Sequence, residues 1–187
     1  FGFNGGSQLA ADGGAALAIT VTHISAATAS ISWAAWEKVK YGKASLVGMV
    51  TGTIAGLASI TPASGFVGPI EALIIGLIAG ILCQEGTIFI KKNINIDDTL
   101  DVFAVHGLGG IFGTIMISLL ALAGFENGSS FISQIGGILI VGVYTIVVTA
   151  ILILIIKQFV PLRVSEDIET EGLDLSEHGE KAYDFRS

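Results

Sequence analysis

The feature that most constrains this chain is the spacing of its charges. No Asp, Glu, Lys or Arg occurs between Asp12 and Glu37, between Lys43 and Glu71, between Asp101 and Glu126, or between Glu126 and Lys157. A helix needs about 20 mostly apolar residues to cross the hydrocarbon core of a bilayer, so each gap holds one span. A fifth span fits from Pro69 to about Ile90, with Glu71 near one end and Glu85 near the other. The spacing therefore predicts spans at 14–36, 46–62, 69–90, 101–123 and 131–157. Only 13% of the 187 residues are charged and 52% are hydrophobic, whereas soluble domains carry about a quarter charged residues. The fold class is all-α, a polytopic membrane helix bundle.

Five crossings put alternate loops on opposite sides. Lys38, Lys40, Lys43, Lys91, Lys92, Lys157, Arg163, Lys181 and Arg186 then all fall on one side, although the loops at 63–68 and 124–130 fall on the other. The positive-inside rule makes the basic side cytoplasmic. Composition changes after Arg163. Residues 1–163 form the bundle, and residues 164–187 form a cytoplasmic tail with eight acidic and two basic residues. Such a tail reads either as a solvated acidic appendage or as a docking element, since Ile168, Leu173, Leu175, Tyr183 and Phe185 interleave with the charges. The chain opens on Phe1, and residues 1–8 look like the end of an earlier helix, so the expectation is the C-terminal part of a longer polypeptide or a fragment.

The net charge of −7 does not suit a nucleic-acid binder, and the single cysteine supports neither a disulfide framework nor a multi-cysteine metal cluster. Nothing in the sequence calls for a cofactor or a metal. HExxH, a serine nucleophile elbow and paired carboxylates at membrane depth are all missing, so an enzyme is not expected. Gly48, Gly52 and Gly56, Gly76 and Gly80, and Gly109 and Gly113 repeat a GxxxG spacing, which lets helix backbones approach closely in lipid. Asn127-Gly128-Ser129 matches a glycosylation sequon on the outer side.

Two histidines lie inside spans, and ionisable groups at that depth point to function by default. His23 is flanked by Thr20, Thr22 and Ser25, which suggests a hydrogen-bonded packing residue. His106 lies beside Gly107, Gly109 and Gly110, where missing side chains leave room for a solute next to the imidazole. Asp98 and Asp101 precede it near the cytoplasmic end of the same helix, where anions favour the dipole and cap free amides.

FGFNGGS at 1–7, ITPASGFVGP at 60–69, GLIAGILC at 76–83, DDTLDVFAVHGLGG at 97–110 and GLDLSEHGEKAYDF at 172–185 cover the chain in one order. On these blocks the chain resembles the ammonium transporter (Amt/Mep/Rh) family, closest to its prokaryotic Amt branch. The resemblance implies the end of the sixth helix through the eleventh, the second half of an inverted repeat, with a multi-pass plasma-membrane location. It implies a homotrimer with a pore in each protomer, carrying ammonium or ammonia, with methylammonium a candidate second substrate. His106 would be the second of two pore histidines, Phe3 a gate phenylalanine, and Ser7 a hydroxyl at the ammonium recruitment site. The tail would contact a neighbouring subunit and a PII-type regulatory protein. The partner histidine, the recruiting tryptophan and the second gate phenylalanine belong to the first half. Trp33 and Trp36 sit at the cytoplasmic end of a span and do not replace that tryptophan. The chain by itself is therefore not expected to conduct. An ammonium sensor signalling through the tail is the alternative, and a purely structural bundle with His106 as packing is a third reading.

Overall fold

A computed structural model describes residues 1–121 and 130–181. The glycosylation sequon, Glu126, Tyr183 and Phe185 lie outside the described residues. The chain divides into two compact units, Phe1–Leu139 and Ile140–Ser187. The described elements are helical: α1 Gly2–Gly6, α2 Gly13–Tyr41, α3 Leu46–Ile60, α4 Pro69–Phe89, α5 Gly109–Leu120, α6 Phe131–Ile156, α7 Glu166–Glu171 and α8 Leu173–Ser176. Two π-helical segments, Ile90–Ile94 and Phe103–Leu108, continue α4 and precede α5.

In the first unit α2 packs against both α3 and α4, and α5 packs on α3 and α4. The start of α2 is set by Asp12, whose Oδ1 accepts from the amides of Gly14 and Ala15 at 2.9 and 3.1 Å. The bond from Ala15 leads in holding this carboxyl below its usual range, with Gln8 adding a second donor. Gly42, at φ 78°, ends α2 in the left-handed region that glycine adopts freely. Ser45 then caps α3 by accepting from the Gly48 amide at 2.9 Å.

The three helices meet through glycine. A Cβ on Gly56 or on Gly76 would run into the Ser25 carbonyl oxygen, and one on Gly80 into the Ala29 carbonyl oxygen. One on Gly52 would stand 2.6 Å from Trp33 Cβ. Ser25 Oγ donates to the Gly56 carbonyl at 2.9 Å, adding a polar tie inside this contact. Nearer one end, Val21, Ile60, Ala63, Val67, Ala72, Ile75, Met116 and Ile117 form an apolar cluster. Toward the other end Trp33, Ala55, Cys83 and Val105 form a second. Charges crowd that second end: Trp36 Nε1 donates to Glu85 at 2.5 Å, and Lys40 Nζ reaches both Glu85 oxygens at 2.6 and 2.8 Å.

By length and composition, Gly13–Tyr41, Pro69–Ile94, Phe103–Leu120 and Phe131–Ile156 can cross a membrane. The element at 46–62 is shorter than a full span, since α3 has 15 residues, or about 22 Å at 1.5 Å per residue. Pro62 follows Thr61 and has no amide to continue the helix, so the chain turns, with Ala63 N–H donating to the Ile60 carbonyl. The segment at 63–68, which its composition marks as a loop, is half interior: Ala63 and Val67 are fully buried in the apolar cluster. The next helix departs from Gly68, whose amide donates to Glu71 Oε2 at 3.0 Å. The span expected from 101 begins later, because Asp101 takes φ 57° and stands outside the helix.

In the second unit α6 continues as an uncharged run ending in ILILII, and none of its residues is buried. A helix apolar on every side suits lipid contact. Ser165 caps α7, Arg163 Nη2 pairs with Glu169 Oε1 at 2.7 Å, and Gly172 and Gly179 turn the chain at φ 105° and 65°.

Gly76→Val adds atoms where α4 meets the Ser25 backbone, and overpacking costs about 1–3 kcal/mol. Thermal unfolding of the full-length protein in detergent should fall by several degrees. Gly65→Ala, where the added Cβ meets nothing within 4 Å, should leave the midpoint unchanged.

Candidate functional site

The His106 region is assembled by the connection between α4 and α5. The first π turn ends at Asn95, whose backbone lies in the left-handed region at φ 58°. The connector closes at Asp101, also left-handed at φ 57°. Asn and Asp are the non-glycine residues that tolerate this conformation best. Between them Asp98 folds back on the coming helix. Its Oδ1 accepts from the Val102 amide at 2.8 Å and its Oδ2 from the Phe103 amide at 2.9 Å. Asp101 Oδ1 pairs with Lys91 Nζ at 2.7 Å. Two carboxylates therefore hold the start of the segment, one through its amides and one through the preceding helix.

Phe103–Leu108 continues with π-helical hydrogen bonding. Ala104 and Val105 point inward and are buried, while Phe103 and His106 are exposed. His106 lines an open groove of about 670 Å³ with Ile94, Val102, Phe103, Asp97 and Asp98 among its walls. The walls are mainly apolar, and the carboxylates come from the connector. Among the described residues no side chain hydrogen bonds to the imidazole, so neither ring nitrogen is committed to a partner there.

The neighbouring glycines differ in what they do. A Cβ on Gly107 would meet the Phe103 ring at 3.1 Å. One on Gly109 would meet Ser59 Oγ at 2.9 Å and Cys83 Sγ at 3.3 Å, and one on Gly113 would strike the Ser59 carbonyl. These three stand in packed surroundings, and Gly107 also lines the groove beside His106. Gly110 alone of the group has nothing within 4 Å, and it leaves open space one turn beyond His106.

The other sequence-predicted site residues stand elsewhere. Phe3 is 76% exposed on α1, and Ser7 Oγ donates to the Phe3 carbonyl at 2.7 Å. Among the described residues no hydrogen bond or ring contact joins either of them to His106. Helix α1 is held to α2 through Asn4, whose Nδ2 donates to Thr22 Oγ1 at 2.9 Å. His23 is exposed and lies against Phe1 with ring centroids 5.8 Å apart. Its flanking hydroxyls are used otherwise: Thr20 and Thr22 donate to the Ala16 and Ala18 carbonyls, and Ser25 to Gly56. Trp33 is buried and Trp36 is engaged by Glu85. Phe103 and Lys91 are the residues that sequence reasoning passed over. Phe103 stands three residues before His106, and Lys91 lies across a short polar connector from the aspartates.

A family model described as "Ammonium Transporter Family" matches residues 1–183. The chain belongs to the ammonium transporter family. It is 45% identical over 192 residues to "Ammonium transporter Amt1" of Archaeoglobus fulgidus, a match covering 98% of this chain and 48% of that protein. It is 42% identical over 194 residues to a "Putative ammonium transporter" of Methanothermobacter thermautotrophicus, with the same 98% and 48% coverage. A solved structure named "Sensor Amt Protein" superposes with a TM-score of 0.85 at 32% identity, covering 94% of this chain and 45% of that one. The chain thus spans about half the length of the curated relatives it matches. Family membership and the apolar helices make it a multi-pass membrane protein, and its named relatives are transporters rather than enzymes.

Asp98→Ala removes the acceptor for two amides, a change that costs about 0.5–2 kcal/mol at helix caps. Hydrogen exchange at Val102 and Phe103 should accelerate in the variant, and Asp98→Asn should recover part of the protection.

Proposed function

We propose that the full-length protein is a channel-like ammonium transporter of the plasma membrane, and that His106 lines its conduit. The observation that carries this reading is the exposed imidazole on an apolar groove within a candidate membrane span, in a chain of this family. The physics favours shedding charge before crossing. An ammonium cation entering a dry passage loses its hydration at large cost, whereas the neutral amine loses far less. Imidazole suits the neutral solute, because one ring nitrogen can accept a hydrogen bond or proton while the other donates.

Recruitment falls to the other end. The Phe3 ring face attracts a cation. The Ser7 hydroxyl spends its proton on the Phe3 carbonyl, so its lone pairs remain to accept from an ammonium N–H. The ammonium leaves its proton with water at that end, and the neutral solute then passes His106 and, by family analogy, a partner histidine from outside the residues of this chain. The basic residues orient the protein with the tail in the cytoplasm. By family analogy the protein assembles as a homotrimer. The tail, with Leu173 and Leu175 exposed among its acids, contacts a neighbouring subunit and a PII-type regulator.

A second reading has one specific observation in its favour. The likeness to the structure named "Sensor Amt Protein" supports an ammonium sensor in which the same bundle binds the solute and the tail relays it. Both readings use His106, and they differ in whether solute crosses.

The test is His106→Leu in the full-length protein, reconstituted in liposomes beside the unaltered one. The unaltered protein should give saturable ammonium translocation, and the variant should lose about a hundredfold or more of it, the scale of losing a positioned proton-handling group. Equal translocation by both would sink the conduit role. Ammonium binding without any translocation by the unaltered protein would favour the sensor.

A further inference from the structure

We infer that Lys91 is a positioning residue for the His106 site: its ion pair with Asp101 fixes the π-helical segment in the register that turns the imidazole toward the groove. The inference rests on the transporter reading above and extends it to a residue that touches no solute.

The π segment is the element at stake. Each π turn takes in one residue more than the α-helical pattern, and such segments persist only where their surroundings hold them. If Phe103–Leu108 relaxed to α-helical bonding, one residue would leave the turn. The side chains on one side would rotate by about 100° relative to those on the other. Residues beyond the segment cannot do the turning, because Gly109 and Gly113 are pressed against Ser59 and the Cys83 sulfur. Residues before it would move instead, and His106 would move with them.

What resists this lies at the start of the segment. Asp101 is the last residue before the helix, held at φ 57°. Its carbonyl accepts from the Val105 amide at 2.9 Å, and its own amide donates to the Asp98 carbonyl at 3.1 Å. Its side chain is only 19% exposed and meets Lys91 Nζ at 2.7 Å. Lys91 lies in the other π turn, Ile90–Ile94, whose Ile90 and Ile94 also line the groove. The pair therefore ties the wall of the groove to the residue from which the His106 segment springs. Lysine supplies the length and charge for this reach, and Asp supplies both the counter-charge and the tolerance for a left-handed backbone.

A pair with the lysine this exposed adds little to global stability. Its effect should therefore appear in the placement of His106 rather than in the melting of the fold. That separation defines the experiment. Lys91→Met, Lys91→Arg and Asp101→Asn are made in the full-length protein, with His106→Leu as reference. Ammonium translocation in liposomes, thermal unfolding, and the ¹⁵N resonance of the His106 ring in selectively labelled protein are measured for each.

Lys91→Met and Asp101→Asn should each lower the maximal translocation rate by about tenfold, the scale of a small misplacement of a reacting group. Each should displace the His106 resonance, with the unfolding midpoint held within about 2 °C. Lys91→Arg should restore both rate and resonance. Normal rate and resonance in Lys91→Met, with His106→Leu inactive, would overturn the positioning role and leave the transporter reading intact. A lowered rate that tracks a lowered midpoint, with the resonance unmoved, would also overturn it. Normal translocation by His106→Leu would remove the transporter site and this inference together.

Discussion

Close approach of three backbones at Ser25 and Ala29 is the constraint on which the first unit depends. In lipid, burying apolar surface does not draw helices together, so contact must come from packing and polar ties. Gly56 of α3 and Gly76 of α4 both come up to Ser25 on α2, and Gly80 approaches the Ala29 carbonyl. The Ser25 hydroxyl bonds across the same contact. With α2 held between its neighbours, the loops at both ends are placed. Glu85 meets Trp36 and Lys40 at the charged end, and Ala63 and Val67 fold under at the other.

The proposed chemistry depends on a different device. The packed helices are regular, whereas the element carrying His106 is not. Two carboxylates and two left-handed residues frame it, and its buried side, Ala104 and Val105, joins the helices behind. The exposed side faces a groove whose walls are nearly all hydrocarbon. An imidazole in that setting has few competitors for a small hydrogen-bonding solute.

Much of this was legible in the residues. Gaps between charges mark the helices because a charge at membrane depth is costly, and the GxxxG spacing of Gly52, Gly56, Gly76 and Gly80 corresponds to close contact with α2. Less legible was anything set by tertiary context. Pro62 shortens α3, yet composition alone could not reveal that Ala63 and Val67 turn inward. Hydrogen-bond register is a property of the packed state, so a π segment at Phe103–Leu108 leaves no periodic trace in six residues. Lys91 reads as a marker of sidedness until Asp101 is seen beside it. Thr20 and Thr22 look like partners for His23 until their i−4 carbonyls are found to claim them.

Gly110 differs from the glycines around it. Its neighbours in the glycine run are locked against Ser59, Cys83 or Phe103, so any side chain added there disturbs the scaffold. Gly110 touches nothing, yet it lies one turn past His106 on the same helix. Bulk at this position would leave the packing of the bundle untouched, whereas Gly107, which lines the groove beside His106, also stands against the Phe103 ring. Tolerance of a side chain thus changes abruptly among glycines three or fewer residues apart in a single run.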